Sequence, residues 1–408
     1  MRVALISEHA SPLAAIAGVD AGGQNVHVAE LAAALHRQGH AVTVYTRRDA
    51  ADLPETVRTA RGFTVVHVPA GPARYIPKDE LLPYMRPFGQ WLAARWAADG
   101  APDIVHAHFW MSGVAAEVAT SEVPAPMVQT FHALGSVKRR HQGSADTSPP
   151  ERMATERRLL RTVDAVIATC HDEVAELRAL GATAPTAVVP CGVNDDFSAF
   201  GALDPVPRAR RHRLVCVSRL VPRKGIADVI SALGVLGAAP DAELVIVGGA
   251  DADQLADDAE ARHLLQLASE LGVADRLRFR GRLGAAEVAA VMRSADAVVC
   301  APWYEPFGIV PVEAMACGVP VIGTAVGGLL DTVVPGVTGV LVPARRPDRL
   351  ADAIRDLLAD PIARRRMGEA GAQRANGYRW PRVAQAVLGV YRDVIGRRHQ
   401  LAAEAALA

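Results

Sequence analysis

Short apolar, β-branched runs alternate with stretches of helical periodicity along almost the whole chain, and this alternation restricts the fold more than any other feature of the sequence. In the first half, the apolar runs occupy 3–7, 42–46, 64–69, 104–108, 127–131, 165–169 and 187–190. Between the first two runs, Val28, Leu31, Ala32 and Leu35 recur at helical spacing. Strands that alternate with helices in this way form parallel sheets with helices on both faces. The sequence therefore predicts an α/β fold.

The alternation is interrupted around Asp204, where a basic, proline-bearing segment lacks an apolar period and is interpreted as a linker. It resumes in runs at 214–219, 244–248, 277–281, 297–301, 319–323 and 340–343. We therefore expect two Rossmann-like, doubly wound parallel sheets in tandem, a first domain over 1–200 and a second over 201–380, with a C-terminal helix over 381–408. Because such sheets bind ligands at the carboxyl ends of their strands, the predicted active site is a central cleft that both sheets face.

The composition excludes several classes of function. The chain has 408 residues, and its 44 Lys plus Arg equal its 44 Asp plus Glu, so no net charge attracts nucleic acid or an anionic membrane. The five cysteines lack metal-ligand spacing and are expected as small buried residues in a reducing compartment. No apolar stretch is long enough for a signal peptide or a membrane span. We expect a cytoplasmic protein that binds small molecules, and the sequence leaves a homodimer open.

Glu305 and Glu313, separated by seven residues, form the strongest motif of the chain. Pro306 disfavours helical conformation at Glu305, so this carboxylate should leave the preceding strand in an extended segment. Gly308 allows the backbone to approach a ligand closely. Glu313 lies about one turn into the next helix among apolar neighbours, where a carboxylate needs a partner. Vicinal sugar hydroxyls are suitable partners, since an ionised carboxylate accepts hydrogen bonds from two of them.

Arg219 and Lys224 form a second, weaker motif. Arg219 ends one strand and Lys224 precedes Gly225 and a helix, so both cations should lie at the carboxyl edge of the second sheet. The free N–H groups of a helix N-terminus add partial positive charge there, which makes the position suitable for a diphosphate. A solvated basic loop is the alternative, because Arg223 lies in the same segment.

The first half carries a loop after its first strand that is longer than the roughly two to six residues usual in such units, which is typical of a functional loop. It contains His9, Asp20, Gly22, Gly23 and Asn25. The glycine pair allows backbone N–H groups to face a ligand at a helix start. The motif is not GxGxxG and no acidic residue follows at the dinucleotide spacing, so a dehydrogenase is disfavoured. His132 closes a later strand and should point to the same edge.

Two patterns suggest a metal without establishing one. His106 and His108 share a strand face, but a metal site needs a third ligand that the sequence does not place. Asp251 and Asp253 match the DxD triplet that binds a cation beside a nucleotide sugar, yet only as an isolated match in a polar loop. We therefore expect no essential metal. The basic segment 138–141 fits either an anionic acceptor or a solvated loop.

With these motifs in place, essentially the whole chain resembles the retaining glycosyltransferases of glycosyltransferase family 4, which have the GT-B architecture. Its first half is most similar to the mycothiol-pathway enzymes that join N-acetylglucosamine to inositol 3-phosphate, and sucrose-phosphate synthases are more distant. The resemblance implies that Arg219 and Lys224 hold the donor diphosphate, that Glu313 holds the ribose and that His132 contacts the C6 hydroxyl of the donor sugar. It also sends the C-terminal helix back across the first domain. The residues implied in donor-sugar binding are Gly23, Glu305 and the backbone of Phe307, Gly308 and Ile309.

The resemblance also implies an acceptor site in the first domain. Its residues are His9, Asp20, Gly22, Gly23, Asn25, Lys78 and Arg152. Lys78 and Arg152 match positions that bind the acceptor phosphate in the inositol phosphate enzymes. Phe109 and Ala133 stand where those enzymes have Tyr and Thr, whose hydroxyls help to hold that phosphate.

The expected reaction is transfer of N-acetylglucosamine or glucose from a UDP-sugar to a hydroxyl of a small polyol, sugar or sugar phosphate. Its catalytic residues are Glu305, His132, Arg219 and Lys224, and no cofactor beyond the nucleotide sugar is expected. No carboxylate is placed as a nucleophile, so same-face attack with retention is favoured. The alternatives are a GDP-mannose-dependent mannosyltransferase, a nucleotide-sugar epimerase, a glycan phosphorylase and a two-lobed binding protein.

Overall fold

The computed structural model describes residues 1–13 and 22–407. The chain forms two compact units, one comprising Met1–Gly192 with Trp380–Ala408 and the other Val193–Arg379. Each unit is built on one mainly parallel sheet, so the α/β prediction is confirmed.

The sheet of the first unit has the strand order β3-β4-β2-β1-β5-β6-β7-β8. Its strands are β1 (Arg2–Ile6), β2 (Ala41–Arg47), β3 (Thr56–Arg58), β4 (Thr64–Val68), β5 (Ile104–His108), β6 (Met127–Thr130), β7 (Ala165–Ala168) and β8 (Thr186–Val188). The edge strand β3 is antiparallel to β4, and the sequence pattern did not predict it because it is only three residues long and mostly exposed. The strand order reverses between β1 and β5, which is where ligands of such sheets bind.

Helices cover both faces of this sheet. Those of the first segment are α1 (Gly23–Arg37), α2 (Met85–Asp99), α3 (Trp110–Glu122), α4 (Gly135–Gln142), α5 (Arg152–Thr162) and α6 (His171–Ala179). Alternate residues of β1 enter different apolar clusters: Ala4 and Ile6 pack in the cluster that contains Trp110, whereas Val3 and Leu5 pack with α1. Side chains of successive strand residues point to opposite faces, so this division is expected of a sheet buried on both sides.

The sheet of the second unit has the order β11-β10-β9-β12-β13-β14. Its strands are β9 (His212–Val217), β10 (Ala242–Val247), β11 (Leu277–Gly281), β12 (Ala297–Cys300), β13 (Val321–Thr324) and β14 (Gly339–Val342). Its helices are α7 (Ile226–Leu236), α8 (Ala259–Glu270), α9 (Ala285–Arg293), α10 (Ile309–Ala316), α11 (Leu329–Thr332), α12 (Pro347–Ala359) and α13 (Pro361–Ala375). The reversal of strand order lies between β9 and β12, the two strands that precede Arg219 and Glu305.

The C-terminal helix α14 (Trp380–Leu407) belongs to the first unit. Trp380, Val387 and Tyr391 are buried in the same apolar cluster as Leu5 and Val28. The phenol of Tyr391 is hydrogen-bonded to His106 Nδ1 at 2.7 Å. No helix of the described part of the chain is long and apolar enough to cross a membrane.

The passage between the units lies earlier than the expected boundary at residue 200. Arg379 donates to the carbonyl oxygens of Asn194 and Phe197, which ties this segment to the second unit. Asp204, interpreted as part of a linker, has a buried side chain that forms an ion pair with Arg213 at 3.1 Å. Contacts of single polar side chains leave no trace in hydrophobic periodicity, so the sequence pattern could not locate this boundary.

Candidate active site

Lys224 and Glu305 contact each other in the second unit. Lys224 ends a short turn (Pro222–Lys224) after β9, and Glu305 follows the neighbouring strand β12. The Lys224 ammonium donates a hydrogen bond to Glu305 Oε2. Burial disfavours ionisation of Glu305, but Lys224, with Arg223 and Arg219 behind it, outweighs burial and lowers the pKa of this carboxyl. The site therefore holds an ionised glutamate and a surplus of cationic groups.

Close backbone approaches fix the two loops that carry this pair. Gly225 has φ 67°, and a Cβ there would lie 1.9 Å from the carbonyl oxygen of Ala301. The amide of Gly328 donates to the carbonyl of Glu305 at 3.1 Å. Gly308, with φ 80°, precedes α10 and lets the chain turn into that helix. Glycine is thus needed at Gly225 and Gly308 to bring Lys224, Glu305 and the N-terminus of α10 to one place.

Glu313 lies in the second turn of α10, half-buried among apolar neighbours. Burial raises the pKa of its carboxyl to about 7, and the helix supplies no cation in its first or last turn to oppose that effect. Burial without a cation makes this carboxyl ready to accept hydrogen bonds from a ligand, because such bonds favour the ionised form. Phe307 and Ile309, also expected in donor binding, flank Gly308 at the N-terminus of α10.

Arg223 is a residue of this site that sequence reasoning discounted. Its guanidinium lies over the ring of Tyr304, 5.2 Å from the centroid, and it contributes to the lowered pKa of Glu305. Its Nη1 atom is buried without a hydrogen-bond partner among the described residues. Because its neighbours are also basic, Arg223 resembles part of a solvated loop in the sequence. Sequence position alone does not distinguish such a loop residue from a member of the site.

In the first unit, the long loop and the start of α1 are partly described. Asp20 lies outside the described residues. Asn25 caps α1, since its Oδ1 accepts from the amide of Gly22 at 3.0 Å, and its amide nitrogen donates to the Ser11 carbonyl at 3.0 Å. Gly22 has φ −160°, an extended conformation open to any residue, so the glycine pair is not required by backbone strain at this position. Gly23 is exposed at the first turn of α1.

His9 is held by a buried carboxylate that the sequence did not single out. Its Nδ1 atom lies 2.7 Å from Glu8 Oε1, and its ring packs edge-on against Phe109. The second oxygen of Glu8 accepts a hydrogen bond from Ser112. Glu8 directly follows the apolar run 3–7, so a search for polar residues just after such runs could have found it.

Arg152 is brought together with both positions at which the chain departs from the inositol phosphate enzymes. Its guanidinium lies 5.2 Å from the centre of the Phe109 ring and donates to the carbonyl of Ala133 at 2.6 Å. It also donates to Glu156 at 2.8 Å and to Ser148 at 3.1 Å. Arg152 is therefore buried and already surrounded by acceptors. Lys78, the other expected phosphate ligand, begins a short turn (Lys78–Glu80) and is half-buried.

The basic segment 138–141 is largely paired with carboxylates. Lys138 lies 3.0 Å from Asp146, and Arg140 forms two hydrogen bonds to Glu176, at 2.7 and 2.8 Å. The structure therefore favours a solvated, internally neutralised surface over a site dedicated to anions. In the second unit, Asp251 of the DxD triplet is exposed and lies 3.5 Å from Arg282.

His132 belongs to a cluster of buried histidines at the carboxyl edge of the first sheet. Its Nε2 lies 2.9 Å from Nδ1 of His108, the last residue of β5. Its φ of 60° is unusual for a residue with a Cβ and turns the chain sharply after β6. His27, in the first turns of α1, completes a group in which one ring nitrogen from each histidine lies within 4.8 Å of those of the other two. Burial lowers the pKa of all three rings, to about 4 for His27, so they are neutral.

Two family models match the chain. The model described as Glycosyltransferase Family 4 matches residues 21–197, and the model described as Glycosyl transferases group 1 matches residues 206–374. Among curated relatives, the D-inositol 3-phosphate glycosyltransferase of Kribbella flavida is 35% identical over 96% of this chain and 95% of its own. The enzyme of the same name from Nocardiopsis dassonvillei is 37% identical over 96% of this chain and 94% of its own.

Solved structures are similar over nearly the whole length. Sucrose-phosphate synthase from Thermosynechococcus elongatus superposes with a TM-score of 0.87 at 32% identity, covering 97% of this chain and 99% of that one. The Anabaena protein HepE, solved in complex with UDP, has a TM-score of 0.71 at 20% identity, covering 96% and 100%. The suspected relationship and the GT-B fold are both confirmed.

Proposed function

Because the chain belongs to glycosyltransferase family 4 and is a glycosyltransferase, we propose that it moves a sugar from a nucleotide diphosphate to a hydroxyl of a small acceptor with retention of configuration. A UDP-sugar carrying N-acetylglucosamine or glucose is the favoured donor. GDP-mannose is the second candidate, because base recognition leaves no signature among the residues that the motifs identify. A nucleotide-sugar epimerase and a glycan phosphorylase are disfavoured, since the curated relatives are glycosyltransferases.

The contact between Lys224 and Glu305 is the observation that carries the proposal. Each side chain holds the other at the N-terminus of α10, with Arg219 and Arg223 close enough to lower the pKa of the carboxyl. A diphosphate binds where cations and free helix N–H groups converge, and an adjacent ionised carboxylate accepts from sugar hydroxyls. The arrangement thus fits a ligand that is anionic at one end and a polyol at the other. The same features explain the assignment of Arg219 and Lys224 to the diphosphate and of Glu305, with Phe307, Gly308 and Ile309, to the sugar.

The chemistry that we propose begins with departure of the nucleoside diphosphate from the anomeric carbon. Negative charge develops on the leaving phosphate, and Arg219, Lys224 and the helix N-terminus stabilise it without reorganisation. Glu305 is occupied by Lys224 and is therefore assigned to sugar positioning rather than to nucleophilic attack. The acceptor hydroxyl attacks the face that the phosphate leaves, and its proton passes to that phosphate. His132 is assigned to the C6 hydroxyl of the donor sugar, and its neutral ring can both donate and accept a hydrogen bond.

For the acceptor, we propose a hydroxyl of a small polyol, sugar or sugar phosphate bound in the first unit by His9, Asn25, Lys78 and Arg152, with Asp20, Gly22 and Gly23 of the adjoining loop. The relatives' name points to a phosphorylated cyclitol for those enzymes. In this chain, Arg152 already has three oxygen acceptors and Phe109 offers no hydroxyl. A phosphate would therefore find fewer donors here, and non-phosphorylated polyols belong among the first acceptors to be tested.

We also propose that transfer needs no divalent metal, since cationic side chains surround the diphosphate position and Asp251 of the DxD triplet is paired with Arg282. A cytoplasmic location is proposed from the use of a nucleotide sugar and from the cysteines, all five of which lie in the described chain and none of which forms a disulfide there. The proposal assigns no oligomeric state, and the homodimer that the sequence allows stays a prediction.

A thermal-shift screen with UDP, GDP, ADP and their sugars tests the donor assignment. A ligand held at about 100 times its dissociation constant stabilises the folded state by roughly 2.7 kcal/mol, which is readily seen. We expect stabilisation by the uridine ligands, and then transfer to a polyol panel with the anomeric configuration read by NMR. Stabilisation by none of the nucleotides would contradict the proposed function, and an inverted product would contradict the mechanism alone.

A further inference from the structure

Three histidines of the first unit converge at the carboxyl edge of its sheet from three different elements. His108 ends β5, His132 lies just past the neighbouring strand β6, and His27 lies in the first turns of α1. Strands β5 and β6 pair with His108 opposite Thr130, which sets the two strand-end rings side by side. The sequence offered His106 and His108 as a histidine pair, but the third member comes from a helix that starts some eighty residues earlier, so only the fold reveals it.

We infer that His27, His108 and His132 form a binding site for a borderline transition-metal cation, of which Zn²⁺ is the representative. One ring nitrogen from each histidine lies within 4.8 Å of those of the other two. The ring centres are 5.6 Å apart for His27 and His108, 5.0 Å for His27 and His132, and 5.2 Å for His108 and His132. Three imidazoles bound to one tetrahedral ion at about 2.0–2.1 Å have ring centres roughly 5 Å apart. Small ring rotations therefore suffice to direct the three nitrogens at one ion.

The hydrogen bonding of the cluster is incomplete without a ligand. Nδ1 of His27 and Nε2 of His108 are buried and have no partner among the described residues. A buried polar atom without a partner costs free energy, which an ion bound at His27 Nδ1 would recover for that atom and a water would recover for His108 Nε2. The bond between His108 Nδ1 and His132 Nε2 shares one proton, and that proton can move to the other nitrogen of its ring when an ion takes its place. Binding then needs no net loss of a proton from these two rings.

The surroundings of the rings favour nitrogen coordination of a soft or borderline cation. Imidazole binds a metal through an unprotonated ring nitrogen, and each of the three rings brings one nitrogen to the cluster. Trp380 packs edge-on against His27, with ring centres 5.3 Å apart, and His106 lies against His108 with ring centres 4.1 Å apart. His132 is the least buried of the three, so an ion would enter on its side and keep a water there as fourth ligand. Neutral nitrogen ligands select Zn²⁺, Co²⁺ or Ni²⁺ over Mg²⁺, which prefers oxygen.

Metal binding is to be measured directly on untagged, full-length protein dialysed against chelator. We expect Co²⁺ to give the intense visible absorption of a tetrahedral nitrogen site, Zn²⁺ to displace it with one ion per chain, and Mg²⁺ to leave it unchanged. His27→Phe should weaken Zn²⁺ binding by at least about 100-fold, since even outer-shell losses cost up to that factor. This variant removes a buried unpartnered nitrogen and keeps the contact with Trp380, so it should fold normally.

Two further variants keep the test decisive. His108→Gln should also lose the ion, and it serves if His27→Phe fails to fold. His263→Gln, which changes an exposed histidine of α8 in the other unit, should bind Zn²⁺ as the unaltered protein does. Absence of Co²⁺ and Zn²⁺ binding, which would leave an ordered water as the partner of the free nitrogens, overturns the inference. Equal binding by the unaltered protein and by both cluster variants overturns it as well.

Inhibition of sugar transfer by Zn²⁺ is a separate measurement that rests on the proposed function. An ion on His132 would compete with the donor sugar assigned to that residue, so Zn²⁺ should inhibit the unaltered enzyme and spare His27→Phe. Binding without inhibition leaves the metal site standing and counts against the role of His132 in donor binding.

Discussion

Glu313 should make donor affinity depend on pH across the neutral range. Burial raises the pKa of this carboxyl to about 7 in the ligand-free protein, and the ribose hydroxyls are proposed to donate to its ionised form. A carboxyl with that pKa is roughly nine-tenths ionised at about pH 8 and one-tenth ionised at about pH 6. Affinity for a UDP-sugar should therefore fall about tenfold between these values, whereas a glutamate with an ordinary pKa would give no change.

Isothermal titration calorimetry with UDP-glucose measures this dependence. The sugar-linked diphosphate keeps its charge over the range, whereas free UDP gains a proton and would confuse the result. Glu313→Gln is the matched control: its neutral amide should bind donor about tenfold or more weakly at pH 8, because hydrogen bonds to charged groups are the stronger ones, and its affinity should not vary with pH. Binding by the unaltered protein should release a proton below neutral pH, which calorimetry in buffers of different ionisation enthalpy detects.

A flat pH profile for the unaltered protein, or the same slope in Glu313→Gln, would refute the reasoning. The stability of the ligand-free protein should depend on pH in the opposite direction to donor affinity. Since the folded-state pKa is raised from 4.5 to about 7, the contribution of this group to stability is complete below about 4.5 and is lost as the pH rises through about 7. Donor should therefore stabilise the protein most above neutral pH.

Three other predictions use contacts seen in the structure. Glu305→Ala should abolish transfer but retain or strengthen UDP binding, because Lys224 loses the carboxylate that competes with the diphosphate. Calorimetry measures UDP binding and a turnover assay measures transfer. Normal turnover would contradict the role of Glu305. Phe109→Tyr adds a hydroxyl beside the buried arginine of the acceptor site and should raise kcat/KM for inositol 3-phosphate over inositol by about tenfold, given that a hydrogen bond to a charged group contributes about 1.5–3 kcal/mol. Gly225→Ala should destabilise the second unit by more than about 3 kcal/mol in denaturant unfolding, since its Cβ would lie 1.9 Å from a carbonyl oxygen in addition to the positive φ. Gly39→Ala is the control, because Gly39 also has a positive φ but a Cβ there would have no atom within 4 Å. Equal losses of unfolding free energy in the two variants would assign the cost to φ alone.

Several features of the fold and site follow from the sequence because local chemistry fixes them. The alternation of apolar runs and helical periods predicts two α/β sheets, since each run has too few residues for a helix and is bounded by turn residues. Lys224 and Glu305 are predicted at one edge because parallel strands end on the same side of a sheet, and their strands β9 and β12 pair directly. Glu313 is predicted as a ligand-facing carboxylate because its helix supplies only apolar neighbours.

Other features depend on which side chains the tertiary structure brings into contact. Glu8 reaches Ser112, Arg152 reaches Ala133, and Asp204 reaches Arg213 through hydrogen bonds or ion pairs that have no periodic signature. The boundary at Val193 and the occupied guanidinium of Arg152 both arise from such contacts.

The histidine cluster shows the difference most clearly. Local sequence places His108 and His132 at strand ends, but the position of His27 depends on how α1 packs against the sheet. Part of the burial of His27 comes from Trp380 of α14, which joins the first unit from the far end of the chain. Periodicity determines which face of an element is buried, whereas the partner that buries it is decided only when distant elements pack, because contact and desolvation are properties of the folded chain.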